Sequence, residues 1–463
     1  MATTAPTFDP KSTATNLAQL YVEGRQKILT TQSNSASAVA SALTKLSSAM
    51  STFRSTLSAL SGQSSVLANK ASFSAEVGTA TASASAAPGN YQFYVEQLAT
   101  AGQVSYNGIS NTAAATAGNM IVTLADGSNF TVTLASADKN LDGTLTAKEI
   151  AAAINVEAGN NARVTASTMT VAGQTRLVLT SSKTGADNGV VGIDTSQITD
   201  PGLAAELDGA NQTVLQTAKD AVVWIGAQGG DPANRLQQAS NTFNVIDGVS
   251  MTFTKAQAPL ENPVALTVGR DDAATATNVQ NFVDSWNKLL AVFKEVSAAG
   301  DPASGKAAGI YANDAGLSAL KGRMQELLRT ETGGSSLVAY GIAAQRDGTL
   351  ALDKTRLGKA LTANPDGLDA IFGKSGANAT GVLGGLDGLL NSWTKAGTGQ
   401  LATRKDSNVR LQATLATRQA ALETQYDNAY KRYLAQFTQL QSLQSQMNGT
   451  TSMFDALFSK SDS

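Results

Sequence analysis

Asp138-Lys139-Asn140-Leu141-Asp142-Gly143-Thr144-Leu145-Thr146-Ala147-Lys148-Glu149 sets oxygen-bearing groups at loop positions 1, 3 and 5, Gly at 6, a backbone carbonyl at 7 and Glu at 12. An EF-hand wraps about six or seven oxygens around Ca2+ with this spacing. The ligands would be Asp138, Asn140, Asp142, the Thr144 carbonyl and both oxygens of Glu149, with Thr146 holding a water. Two features oppose that reading: the incoming arm, residues 131–134, alternates like a strand, and Leu141 fills position 4. The same residues also describe a polar strand-to-helix turn in which Thr146 caps the helix and Glu149 closes a capping box. Bound calcium would stiffen the surrounding domain without a catalytic role.

Other reactive chemistry is scarce. The chain has no Cys and no His, which removes disulfides, thiolates, Ser-His and Cys-His catalysis and the common structural zinc sites. Asp271-Asp272 has nothing convergent around it and reads as solvated surface, and Asp187-Asn188 and Asp247-Gly248 read as turns. Gly384-Gly385-Leu386-Asp387-Gly388 lacks the Lys and Ser/Thr of a phosphate loop and reads as a flexible break in a helix. An enzyme is not expected. Net charge is -2 with no basic run, which favours neither nucleic acid nor an anionic membrane. The first residues lack a basic segment followed by an apolar core, and no apolar run reaches about 18 residues, so neither a general secretory signal nor membrane insertion is expected.

The elements around these residues follow from periodicity. Val39, Leu43, Leu46, Met50, Phe53, Leu57 and Leu60 alternate steps of four and three, the seam of a coiled-coil helix. Tyr430, Tyr433, Phe437, Leu440, Met447 and Phe454 carry a matching seam, with Gln444 and Thr451 in its missing places. A narrow apolar seam needs another helix, so the two seams are expected to pair and the chain to leave and return through one helical stalk. Helix is predicted from about residue 14 to 67, frayed near Gly24 and over residues 30–37, and again from about 382 to the end, with breaks at 397–399 and near Gly449. Between them, Tyr91 to Glu96 alternates as a half-buried strand, further short strands follow to residue 180 with a helix at 148–156, and residues 242–246 and 249–254 form a hairpin.

The fold class is therefore a multi-domain α+β protein with nested domains. Residues 1–40 and 405–463 form the terminal coiled-coil stalk, and 41–75 with 275–404 a helical leg. Residues 76–106 with 240–274 form a β-rich head, and 107–239 a second, α+β head.

Ordered segments across this frame resemble the flagellar filament cap family, hook-associated protein 2. They include Gly89-Asn90-Tyr91-Gln92-Phe93-Tyr94-Val95-Glu96-Gln97-Leu98-Ala99, Asn244-Val245-Ile246-Asp247-Gly248-Val249 and Phe282-Val283-Asp284-Ser285-Trp286-Asn287-Lys288-Leu289. Asp347-Gly348-Thr349-Leu350-Ala351-Leu352-Asp353 and Ile371-Phe372-Gly373 complete the set. The resemblance implies a structural protein exported by the flagellar type III apparatus to the filament tip, where a ring of identical copies holds flagellin and guides its insertion. It also implies a hook-filament junction protein and a flagellar export chaperone as partners. Two alternatives stay open: a junction or flagellin-like structural protein, which leaves Gly341 to Gly373 unexplained, and an extracellular adhesin whose head binds host glycans.

Overall fold

The computed structural model describes residues 9–62, 65–332, 334–376 and 378–458. Its helices are α1 (Pro10–Gly62), α2 (Ala147–Val156), α3 (Pro201–Glu206), α4 (Asp272–Val296), α5 (Ala315–Leu327), α6 (Lys354–Ala363), α7 (Pro365–Phe372), α8 (Gly381–Thr394) and α9 (Gln400–Phe458). The chain divides into two compact units, Met1–Val66 with Ala276–Ser463, and Leu67–Thr275.

In the first unit, Asp9 starts α1 by accepting the Lys11 and Ser12 amides at 3.2 and 2.9 Å, with Pro10 in the first helical position. The helix then runs 53 residues without the fraying expected at Gly24 and 30–37. Packing against α9 outweighs the weak local propensity of its Ser, Thr and Gly residues. The second half of α1 buries Leu43, Leu46, Met50, Phe53, Leu57 and Leu60. Phe53 lies 6.0 Å from the rings of both Phe282 and Trp286 of α4, and Phe282 makes an edge contact with Phe372 of α7 at 5.2 Å. The Trp286 indole donates to the Gly348 carbonyl at 3.0 Å, and Asn287 bonds both backbone groups of Leu350, fixing the hairpin of strands Ile342–Ala344 and Leu350–Leu352 on α4.

The glycine run at 384–388 is not a break. It lies inside α8, where a Cβ on Gly384 would stand 2.6 Å from the Lys374 carbonyl and one on Gly385 2.8 Å from Leu327. These glycines admit close neighbours. Gly449 likewise leaves α9 unbroken, whereas 397–399 is a genuine interruption between α8 and α9.

The second unit holds two hydrophobic cores. The first lies between a five-stranded antiparallel sheet, in the order Asn69–Phe73, Val264–Arg270, Gly89–Gln97, Ala221–Ile225, Arg235–Gln238, and a three-stranded sheet of Thr242–Ile246, Val249–Phe253 and Gly78–Ala82. The second is built from the sheet Gln212–Gln216, Gln103–Asn107, Gln174–Ser181, Val164–Val171, the sheet Val190–Asp194, Asn119–Leu124, Asn129–Thr133, and α2 and α3.

These pairings redraw the expected boundaries. Residues 69–73, assigned to the leg, pair with 266–270 in the second unit. The segment 107–239 is not one body, because Val223 pairs with Val95 and carries 221–238 into the first core, while 103–107 joins the second. Long-range strand pairing decided this, and local alternation carries no information about partners. The strand at Tyr91–Glu96 also differs from its half-buried expectation, since Phe93, Tyr94 and Val95 are all buried. Tyr94 is accommodated by donating its hydroxyl to the Ala258 carbonyl at 2.8 Å.

Candidate functional site

The terminal helices do pair, but through residues other than the two long seams. Val22, Leu29 and Ala36 of α1 pack on Leu415 and Leu422 of α9, with half-buried Tyr426 beside them. Val22, Leu29 and Ala36 stand seven residues apart, as do Leu415 and Leu422, and buried Ala14, Ala18 and Ala429 extend the line. The helices run antiparallel. Arg25 bonds Gln425, Gln26 and Gln419 exchange amide hydrogen bonds at 3.3 and 3.2 Å, and buried Asn408 donates to the Ala36 carbonyl at 3.1 Å. Polar rungs of this kind fix register where the apolar contacts are small.

That register corrects the expectation that the two long seams meet. The Val39–Leu60 seam lies past the stalk and is core of the leg, with Val39 itself half-buried at the junction. On α9, Tyr430, Tyr433 and Phe437 are half-buried, whereas Leu440, Met447 and Phe454 are exposed, at 48, 62 and 56 %. The reason is geometric. Pro10, the first residue of α1, stands fifteen residues before Arg25, so α1 begins opposite about residues 435–440, and among the described residues no helix lies alongside the last turns of α9. The seam that pairs was legible as the spacing of Val22, Leu29 and Ala36 against Leu415, Leu422 and Ala429, but its small residues gave a weaker signal than the aromatic positions.

At its start α9 is anchored by Arg404, whose guanidinium makes two bonds to Asp314 at 2.8 and 3.0 Å and lies 5.3 Å from the Trp393 ring and 5.6 Å from that of Tyr311. Asp314 also caps α5 by accepting the Leu317 amide at 2.7 Å. Burial alone would raise the Asp314 carboxyl pKa; the Arg404 and backbone hydrogen bonds outweigh it and hold the carboxyl below its ordinary range.

The calcium-spaced loop is a tight turn. Asp138 accepts the Leu141 and Gly143 amides at 2.7 and 2.8 Å, Asn140 the Asp142 amide at 2.9 Å, and Asp142 the Thr144 amide at 2.8 Å. Leu141 and Gly143 take left-handed φ of 60° and 81°, which leaves the Leu141 side chain exposed. Residues 144 and 145 pair with 112 and 113 as a short strand. Glu149 turns to Thr146, accepting its amide and hydroxyl at 3.0 and 2.8 Å, while the Thr146 hydroxyl accepts the Glu149 amide at 3.3 Å. The capping box, the second of the two sequence readings, is thus the arrangement present. Among the described residues no three His, Cys, Asp or Glu side chains converge as a metal site. Asp271 caps the start of α4 through the Ala274 amide at 2.9 Å, and Asp272 pairs with Arg270 at 3.2 Å.

Paired ends, a helical leg and an inserted β-rich unit also recur in known proteins. The family models for the flagellar hook-associated protein 2 N-terminus and C-terminus match residues 7–102 and 218–449. The lateral flagellar hook-associated protein 2 of Vibrio parahaemolyticus is 36 % identical over 96 % of this chain and 99 % of its own length. The chain belongs to the flagellar hook-associated protein 2 family. The B-type hook-associated protein 2 of Pseudomonas aeruginosa is 30 % identical over 81 % of this chain and 80 % of its own. The fold is that of the flagellar cap protein FliD from Escherichia coli, whose solved D1-D2-D3 domains align with a TM-score of 0.58 at 23 % identity, covering 79 % of this chain and 99 % of that one. The matched relatives are flagellar hook-associated proteins, and none of them favours the adhesin alternative. Among the described residues no helix is long and apolar enough to cross a membrane.

Proposed function

We propose that this chain acts as an assembly cap, forming a ring of identical copies at the outer end of the filament that holds arriving flagellin and guides its insertion. The observation that carries this reading is the stalk: two terminal helices paired through Val22, Leu29, Ala36, Leu415 and Leu422, with the exposed stripe Leu440, Met447 and Phe454 running on past the level of Pro10. An exposed apolar stripe is suited to the open filament end, and thin packing with several Ala positions leaves the stalk compliant as subunits arrive. Flagellin and further copies of the chain are the principal partners, with a hook-filament junction protein and an export chaperone met before them on the flagellar export route. No bond is made or broken. Deleting the gene should release unpolymerised flagellin into the medium and abolish swimming, and the full chain supplied back should restore both. Negative-stain images of the purified protein should show plate-like rings with legs; normal filaments in the deletion strain would end the proposal.

A further inference from the structure

We propose that neighbouring copies meet stalk to stalk, the arginine-bearing flank of one helix pair seating on an acidic cleft of the next; this rests on the cap reading above. The seam of Val22 and Leu29 against Leu415 and Leu422 divides the stalk surface into two flanks. Arg25 follows Val22 by three residues and Gln26 by four, which at 3.6 residues per turn puts them on opposite sides of the seam. The hydrogen bonds agree: Arg25 reaches Gln425, three residues after Leu422, and Gln26 meets Gln419, four after Leu415.

The flanks differ in charge. On one, Arg418 and Arg432 fall at seven-residue spacing on either side of Gln425 and join Arg25, all three exposed, with the Arg25 guanidinium 5.8 Å above the exposed Tyr21 ring. The other holds an open cleft of about 340 Å³ lined by Val22, Leu422 and Tyr426 and bordered by Gln26, Glu423 and Asp427. Both lie at one height, because the antiparallel register sets Arg25 beside Gln425, which in sequence stands between Glu423 and Asp427.

Height decides the occupant. Copies related by rotation about an axis along the stalk bring the arginine flank level with the neighbour's cleft with no axial shift. A contact between two different faces repeats head to tail and, with no axial shift, closes into a ring where its rotation divides the full turn, whereas a two-fold contact would oppose arginine to arginine or carboxylate to carboxylate. Tyr21 and the aliphatic part of Arg25 supply apolar surface for the cleft floor, and the guanidinium reaches its rim.

The test uses the full-length chain in sedimentation experiments, with far-ultraviolet circular dichroism as the folding check. Reversing the cleft (Glu423→Arg with Asp427→Arg) or the flank (Arg25→Glu with Arg418→Glu) should each weaken self-association by about tenfold or more. All four substitutions together should return it to within about threefold of the starting chain, because the charges again oppose. Since Arg25 also bonds within its own chain, Arg418→Glu with Arg432→Glu gives a second flank variant with the same expectation. Self-association indifferent to either reversal, or no recovery in the fourfold variant, overturns the contact. Filament restoration by the unaltered chain tests the cap reading separately. Reversal variants that associate normally yet fail to restore filaments would assign this flank to another protein and equally overturn the proposal.

Discussion

Replacing Phe53 and Phe454 separately by Ala tests the central structural distinction between the two apolar seams. Phe53 is 1 % exposed and sits between Phe282 and Trp286, 6.0 Å from each ring. A Phe→Ala change in a closed core costs about 3–5 kcal/mol, and two lost aromatic contacts, each about 0.5–1.5 kcal/mol, put this site at the upper end. Against a typical stability of about 5–15 kcal/mol that is a large fraction. With a urea slope of about 2–3 kcal/mol per molar, the midpoint for the leg should fall by roughly 1.5–2 M. Phe454, 56 % exposed, should change it by less than about 0.5 kcal/mol. Fluorescence reports the leg through Trp286 and Trp393, and hydrogen exchange by mass spectrometry separates it from the unit holding Trp224. Phe454→Ala should instead impair filament formation. Equal destabilisation by the two substitutions would mean that the seams pair after all, and would refute the register derived from Arg25, Gln26 and Asn408.

Arg404→Met should destabilise the leg by about 2–3 kcal/mol, less than a fully buried pair because Arg404 and Asp314 are 27 and 21 % exposed; urea unfolding measures it. The depressed Asp314 pKa means the unfolded chain binds the proton more readily, so the pair's contribution is present above about pH 4 and fades as pH falls through the lower folded value. Arg404→Met should remove that part of the acid dependence in melts between pH 2 and 5. Tyr106 is pushed up to about 12 by burial, its hydroxyl accepting the Ile193 amide at 2.9 Å. Its phenol stays neutral in the fold while the unfolded chain ionises near pH 10, so its contribution is intact below pH 10 and up to roughly 2–3 kcal/mol is lost toward pH 12. Tyr106→Phe should flatten that loss in an alkaline melt series. Glu149→Ala should cost about 1 kcal/mol through the capping box, and millimolar calcium should leave the melting temperature of the unsubstituted chain unchanged. A calcium-induced rise that Glu149→Gln abolishes would establish the metal reading.

The two long terminal helices, the hairpin across Asp247-Gly248 and the family are legible along the chain, because helical period, turn chemistry and motif spacing are local properties of neighbouring residues. The same period places Phe282, Trp286 and Leu289 on the buried face of one helix. What those faces meet depends on contacts between residues far apart in the chain. Two seams of like phase are expected to pair, yet the antiparallel register sends Val39–Leu60 into the leg and leaves Leu440, Met447 and Phe454 exposed, because periodicity fixes a face and not the height at which another helix crosses it. The same holds in the second unit, where residues 221–238 join a sheet begun at Asn69. In the Asp138–Glu149 loop, one set of residue types satisfies two local motifs, and the Glu149 side chain takes the direction of the capping box.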